Sequence, residues 1–461
     1  MTTVRGAARV TDLLDLAASV ADRAGRDEAI EVYVARGQET DVRAYAGEIE
    51  QLATASSAGV GIRVVRSAGG AGDRVGFAWA GSLDPAVVGE TLADARDNAE
   101  FATPDPYVAL AEPDGVVPAE LDLWHPAFAH GSTDRKVQLA LDLERMVRGA
   151  DPRVRQVDSA DYGDASVEVA IASTTGIRAA TRRTTARLSV SAIAGEGTAS
   201  QTGSGFSVGR VLADLHPEQA KADAVGRAVR MLGAGRARSG RFTVVFDPRV
   251  VSTLLSVVSR ALSGEEVVKG RSFFSGRIAE QVASAEVTLV DDPTDLRAYG
   301  AAAFDGEGLA CRRNALVEAG VLRGFVYDTV SARRAGTTST GSAVRGGFAG
   351  TPGAGCRALV LSPGQLDQGG ILDAVGEGLY VQSVTGVHSG VNPVSGDFSV
   401  GAEGLMVRAG ALAEPVREVT VASTLQRMLR SILHVGSDVA WLPGVAAGQT
   451  VAVADMQLSG A

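Results

Sequence analysis

Near its middle the chain reads Gly-Ala-Gly-Arg-Ala-Arg-Ser-Gly, from Gly233 to Gly240. A stretch with so little apolar side chain and so much backbone freedom cannot contribute to a core, and it suits an exposed connection between two of them. The chain has 461 residues of which 45% are hydrophobic. That is more than a single core usually organises, so the glycine-rich stretch is expected to divide the chain into residues 1–235 and 236–461.

The first half predicts an α+β domain, an antiparallel sheet with helices. Leu13, Leu14, Ala17, Val20, Ala21 and Ala24 recur at helical spacing after Thr11, and Gly25 follows as a C-terminal stop. Short β-type runs at 30–35, 59–65 and 75–80 lie between glycine-rich turns, and helical stretches begin near Asp84 and Ser132. Further strands are expected at 154–159, 167–172 and 187–193, then a helix that Pro217 can start and that runs to about Leu232. The second half reads as β-rich. A strand at 242–246 leads to Asp247-Pro248, an N-cap and a first-turn proline for a helix ending at Gly264. Helices are also expected near 327–335 and 423–433.

Charge and cysteine content exclude several function classes. Lys+Arg 44 against Asp+Glu 54 gives a net charge of -10, which repels a phosphate backbone, so direct contact with nucleic acid is not expected. No apolar run approaches the roughly 18 to 20 residues of a membrane span, and Arg5 and Arg9 precede no apolar signal core. A cytoplasmic protein without membrane contact is the expectation. Cys311 and Cys356 are too few for a disulfide framework and read as reduced packing residues.

The motifs mostly favour structural readings. His125, His130, His216, His388 and His434 stand in no His-Glu-x-x-His pattern, and Pro126 and Gly131 place the first two in a loop. Gly205-Phe206-Ser207-Val208-Gly209 matches the Gly-x-Ser-x-Gly string of a hydrolase nucleophile, but small polar residues precede it, and His216 follows too soon for hydrolase order. A glycine-flanked strand is expected there. Asp291-Asp292 and Asp305-Gly306-Glu307 could attract a divalent cation, yet without calcium-loop spacing they read as solvated turns. The most distinctive stretch, 386–404, carries glycines at 386, 390, 396, 401 and 404 among short polar residues. It is either a wall that presents backbone amides to a peptide or a bulged β-hairpin.

Within that stretch, Asn392-Pro393-Val394-Ser395-Gly396-Asp397-Phe398-Ser399-Val400-Gly401 resembles the signature of the PmbA/TldE-type branch of the TldD/PmbA family, also called the DNA gyrase modulator family. Three other stretches agree in order: Gly59-Val60-Gly61-Ile62-Arg63-Val64 with Gly76-Phe77-Ala78, Thr337-Thr338-Ser339-Thr340-Gly341, and a helix over 419–432 leading into Val435-Gly436-Ser437-Asp438. The resemblance covers nearly the whole chain. It implies a metallopeptidase of two related subunits, in which the TldD-type chain carries zinc on a His-Glu-x-x-x-His helix and its partner does not.

In that register Leu255 and Arg260 occupy the two histidine positions and Ser256 the catalytic glutamate position. Leu has no lone pair, Arg only donates, and Ser is too weak a base to activate water at neutral pH. Leu254, Leu255, Val258 and Leu262 make an apolar face instead, with Arg260 left for an ion pair, and the metal-supporting Cys expected toward the C-terminus is missing after Cys356. The resemblance thus implies a chain without its own cofactor, bound to a TldD-type catalytic subunit and acting with it on unstructured peptides. Ser389, Gly390, Asn392, Ser395, Gly396, Asp397 and Gly401 are the candidates for a substrate or subunit contact. Two rivals remain: a self-sufficient hydrolase using Ser207 or an unrecognised metal site, and a regulatory binding protein without peptidase association.

Overall fold

The computed structural model describes residues 10–125 and 131–460. A six-stranded antiparallel sheet dominates the N-terminal half: β1 (Glu28–Tyr45), β2 (Glu48–Ser67), β3 (Asp73–Ala80), β4 (Val154–Ser173), β5 (Arg178–Ala194) and β6 (Gln201–Gly209), in the order β3-β2-β1-β4-β5-β6. Four helices pack on it, α1 (Val10–Ala21), α2 (Pro85–Phe101), α3 (Thr133–Arg148) and α4 (Pro217–Val229). The turn between β1 and β2 is two residues long, and Ala46 and Gly47 both take positive φ, 55° and 85°, as the twist of a tight hairpin requires.

Burial explains which helix sits where. Leu13, Ala17 and Val20 of α1 and Val88, Leu92 and Ala95 of α2 share a core with Val32, Val34, Val60, Ile62 and Val64. A second core joins Leu143 and Val147 of α3 and Ala220 and Ala224 of α4 to Tyr162, Leu188 and Val190. Close approach of α4 to β6 depends on missing side chains. A Cβ on Gly203 would lie 2.2 Å from the Ala224 carbonyl oxygen, and one on Gly205 1.8 Å from that of Ala220.

The C-terminal half begins with β7 (Gly240–Phe246) and α5 (Pro248–Ala261). Asp247 caps α5 by accepting from the Arg249 amide at 2.9 Å, and Pro248 fills the first turn, as the sequence predicts. The helix stops at Ala261, short of the expected Gly264, and a second short helix covers Gly264–Val268. Gly264 there lies flat against Tyr327, whose ring would stand 2.1 Å from an added Cβ.

Short strands follow: β8 (Leu289–Asp291), β9 (Asn314–Glu318), β10 (Val321–Leu322), β11 (Ala343–Val344), β12 (Gly353–Ala354) and β13 (Leu359–Leu361). They form a four-stranded sheet, β10-β9-β8-β13, and the pair β11-β12. The remaining strands, β14 (Gly378–Thr385), β15 (Asp397–Arg408), β16 (Ala411–Thr424), β17 (Ile432–Val435) and β18 (Val451–Ser459), join β7 in the order β16-β15-β14-β7-β18-β17. Because β16 also pairs with β18 (Val421↔Leu458), five of these strands close into a ring around Phe246, Val381, Phe398, Val400, Val421 and Leu458. The whole is an α+β fold with a β-rich C-terminal half.

Two sequence expectations need correction. Residues 419–424 are strand, not helix: β-branched Val419, Thr420 and Val421 pair with β15, and the helix is confined to Leu425–Arg430. The stretch from Gly233 is exposed in the main but not free. The Gly235 amide donates to the Pro415 carbonyl at 3.2 Å and its carbonyl accepts from Arg417 at 2.8 Å, which ties it alongside β16.

Candidate functional site

On α5, Leu255 is buried with Leu254, Val258 and Leu262 in the main C-terminal core, as the apolar face predicts. Ser256 is half-buried, and its hydroxyl donates to the Ser252 carbonyl at 2.8 Å, so it is spent on its own helix. Arg260 is exposed; among the described residues no carboxylate lies within ion-pair distance of it, so the expected ion pair is not formed. A divalent cation does not fit this set: one side chain has no donor atom, one is a cation, and the third is a hydroxyl already engaged. Among the described residues no group of three or more His, Cys, Asp and Glu could hold a metal ion.

The other motifs resolve locally. Ser207 lies within β6, not at a strand-to-helix turn, and its oxygen accepts from the His216 amide at 2.8 Å. Its flanking Gly205 serves the α4 contact described above. His388 is on an exposed turn of helix and His434 on β17, while His130 falls outside the described residues. Cys311 and Cys356 are both unpaired and buried.

The segment 386–404 forms a pinned hairpin. Val391 bridges Phe398, the Asn392 amide donates to the Asp397 carbonyl at 2.9 Å, and the Asn392 side chain accepts from the Val394 amide at 2.9 Å and the Ser395 amide at 3.2 Å. Ser395 in turn donates to Asp397 at 2.7 Å. Gly396 has φ +82° and faces Gln426, whose Oε1 would lie 2.0 Å from a Cβ. Gly390 presses on the Ser399 carbonyl and Gly401 on Thr385. Ser389, Asn392, Ser395 and Asp397 are exposed. Val391, Phe398 and Val400 bury beneath them into the core that also holds Leu255.

The acidic clusters are not solvated turns. Asp291, Asp305 and Glu307 are all fully buried, and each is held by donors that composition could not reveal. Asp291 accepts from the Arg357 amide at 2.9 Å and the Ala358 amide at 2.7 Å. Asp305 accepts from the amides of Glu307 (2.9 Å), Leu309 (3.0 Å) and Ala343 (3.0 Å).

Glu307 accepts from the Thr329 amide at 2.9 Å and its hydroxyl at 2.7 Å, and it faces Arg63 at 3.5 Å. Arg63, in β2, lies opposite Glu31 in β1 and grips it with two bonds of 2.9 and 2.6 Å. Arg345, from the C-terminal half, closes on the same carboxylate, donates to the Gly306 carbonyl at 3.1 Å, and lies over the Tyr33 ring at 4.8 Å. Burial pushes the Glu31 carboxyl up, but Arg63 and Arg345 outweigh it and hold it at about 2. Burial raises Glu307 to about 7, against the pull of Arg63. The two halves of the chain are thus joined by a buried knot of charge.

Beside the knot opens a cleft of about 360 Å³. One wall is the face of β4 and β5, with Val167, Val169, Ile171 and Thr181; the other is made of Ala301, Phe304, Asp305 and residues 345–347. Arg182, Arg183, Arg345 and Arg357 all line it. Sequence reasoning singled out none of these four arginines. The adjacent pair Arg182-Arg183, set between Thr181 and Thr184 in β5, was the available signal.

Comparison with known proteins gives a consistent family. Residues 30–102 match the PmbA/TldA metallopeptidase domain 1, 128–232 its central domain and 239–460 its C-terminal domain. Metalloprotease PmbA of Escherichia coli O157:H7 is 27% identical over 439 residues, 95% of this chain and 93% of that protein. A metalloprotease TldD homolog of Haemophilus influenzae is 27% identical over 81% of this chain and 78% of its own length. The crystal structure of TldE from Thermococcus kodakarensis has the same fold, with a TM-score of 0.86 at 23% identity over 98% of this chain and 99% of that one. With all three domains matched in order and relatives of both kinds named metalloproteases, the chain belongs to the PmbA/TldD family.

Proposed function

We propose that this chain is a non-catalytic subunit of a cytoplasmic metallopeptidase complex, paired with a TldD-type chain that carries the zinc, as a heterodimer or higher assembly. One observation carries the reading. At the helix register that the family resemblance assigns to metal ligands and catalytic base, α5 has a buried Leu255, a Ser256 bonded to its own helix and an exposed Arg260. Amide hydrolysis needs a Lewis acid or an activated nucleophile and a stabiliser for the oxyanion, and these three supply none. Ser207 offers no substitute, because it sits inside a strand with its oxygen already bonded.

In this proposal residues 1–235 and 236–461 are two domains that together shape the path of an unstructured peptide. Ser389, Gly390, Asn392, Ser395, Gly396, Asp397 and Gly401 line that path or the subunit contact. The exposure of the polar members of that set supports the role. To test it, the chain is expressed alone and with a TldD-type partner, and cleavage of an unstructured peptide is followed with and without chelator. Cleavage only in the complex, abolished by chelator, is expected. Chelator-sensitive cleavage by the chain alone, or full activity of the partner without it, overturns the assignment.

A further inference from the structure

The four arginines of the interdomain cleft differ in how their charge is met. Arg345 is matched by Glu31. Among the described residues no carboxylate lies within 4.0 Å of the guanidinium groups of Arg182, Arg183 or Arg357, although ion pairs occupy most other arginines of the chain. Arg357 gives one bond, to the Ala343 carbonyl at 3.1 Å, and its Nε is buried without a partner. Arg182 stacks on Trp124 at 5.1 Å, which orients its plane but does not neutralise it. Asp305 also lines the cleft, yet both its oxygens are taken by backbone amides.

Burial and the neighbouring Arg357 cation both depress the Arg183 guanidinium, so like charges are held together in a poorly solvated place. A chain with net charge -10 has carboxylates to spare. Leaving three guanidinium groups without one around a single concavity is what a site for an external anion requires.

The anion's chemistry follows from the shape. Guanidinium forks match the planar, two-oxygen geometry of a carboxylate. Apolar side chains line the cleft beside the cations, Val167 and Ile171 on the β4–β5 face that also carries Arg183 and Phe304 on the facing wall, so the anion should carry an apolar body. At about 360 Å³ the space holds a few residues and not a folded surface. We propose that the cleft binds the free C-terminal carboxylate of a peptide, with Arg183 and Arg357 as its anchors and the β4–β5 wall taking the last side chain.

This rests on the peptide-handling role proposed above, so the test separates the two. Binding of N-acetyl-leucine and of an unstructured peptide, each as free acid and as C-terminal amide, is measured by calorimetry on the purified full chain, with inorganic phosphate as a third probe. The acid is expected to bind about tenfold or more tighter than the amide, the scale of losing charge-assisted hydrogen bonds. Arg183→Gln and Arg357→Gln should each erase that preference while circular dichroism and melting stay near wild type; if one variant fails to fold, the other carries the test. Equal binding of acid and amide overturns the proposal, as does an acid preference that survives both substitutions. Phosphate binding that the free acids do not displace also overturns it. Loss of cleavage in the complex with the acid preference intact would sink the peptidase-subunit reading and leave this site standing.

Discussion

Replacing Glu31 with Gln tests how the two halves are held together. Glu31 faces Arg63 across the β1–β2 ladder and Arg345 from the C-terminal half, and the side chains of all three are nearly inaccessible to water. Holding the carboxyl at about 2 instead of 4.5 corresponds to about 3 kcal/mol of stabilisation at neutral pH, at 1.36 kcal/mol per unit. Removing the charge also leaves Arg345 without a carboxylate and Arg63 with only Glu307 at 3.5 Å, and breaking a buried pair in this way usually costs about 3–5 kcal/mol. The two routes agree. Urea unfolding at pH 7.5, followed by far-UV circular dichroism, should show Glu31→Gln destabilised by about 3 kcal/mol or more. A lowered carboxyl stabilises fully above its unfolded value and loses that contribution as pH falls. The gap between wild type and variant should therefore narrow below 4.5 and close towards 2. A loss under about 1 kcal/mol at neutral pH, or a gap that does not narrow in acid, would refute the claim that this knot carries stability.

Glu307 should behave in the opposite sense. Its carboxyl is raised to about 7 by burial, so the folded state binds the extra proton and its contribution to stability declines as pH rises from 4.5 through 7. Glu307→Gln should flatten that part of the melting-temperature profile, and an unchanged slope would contradict it. Ser207→Ala should cost about 1 kcal/mol, because the His216 amide loses its acceptor, and leave cleavage by the complex intact; a collapse of activity without unfolding would restore Ser207 as a nucleophile. Gly396→Val adds a Cβ 2.0 Å from Gln426 at a φ of +82°, and about 1–3 kcal/mol of strain should loosen the hairpin. Faster amide exchange around Val391 and Phe398 with weakened partner binding is expected, and normal values of both would reduce the segment to a tolerant turn.

What the sequence made legible follows from the range of the forces involved. Asp247-Pro248 announced α5 because a cap and a first-turn proline act within three residues. The apolar face of α5 was readable from its spacing for the same reason. The lengths of β1 and β2 were not, since the stretch from Gly37 to Thr40 has no β-type pattern and is strand only because Ser57 to Thr54 and Val167 to Asp164 lie alongside it. The segment 419–424 is strand and not the expected helix because its pairing with β15 and β18 adds to the local β-branched signal of Val419, Thr420 and Val421. Buried Asp305 and Glu307 looked like solvated turns because their partners, Ala343, Thr329 and Arg63, come from elsewhere in the chain. The arginine cleft was hidden for the same reason: Arg183 and Arg357 belong to different halves and meet only in the fold.

Metal content tests the central claim most directly. The chain is purified alone, dialysed against a mild chelator and analysed for zinc and other transition metals per polypeptide, with a TldD-type subunit carried in parallel. With Leu255, Ser256 and Arg260 on α5, the chain should retain far less than one metal per polypeptide while the TldD-type subunit keeps close to one. One tightly held transition metal in this chain after dialysis would contradict the account.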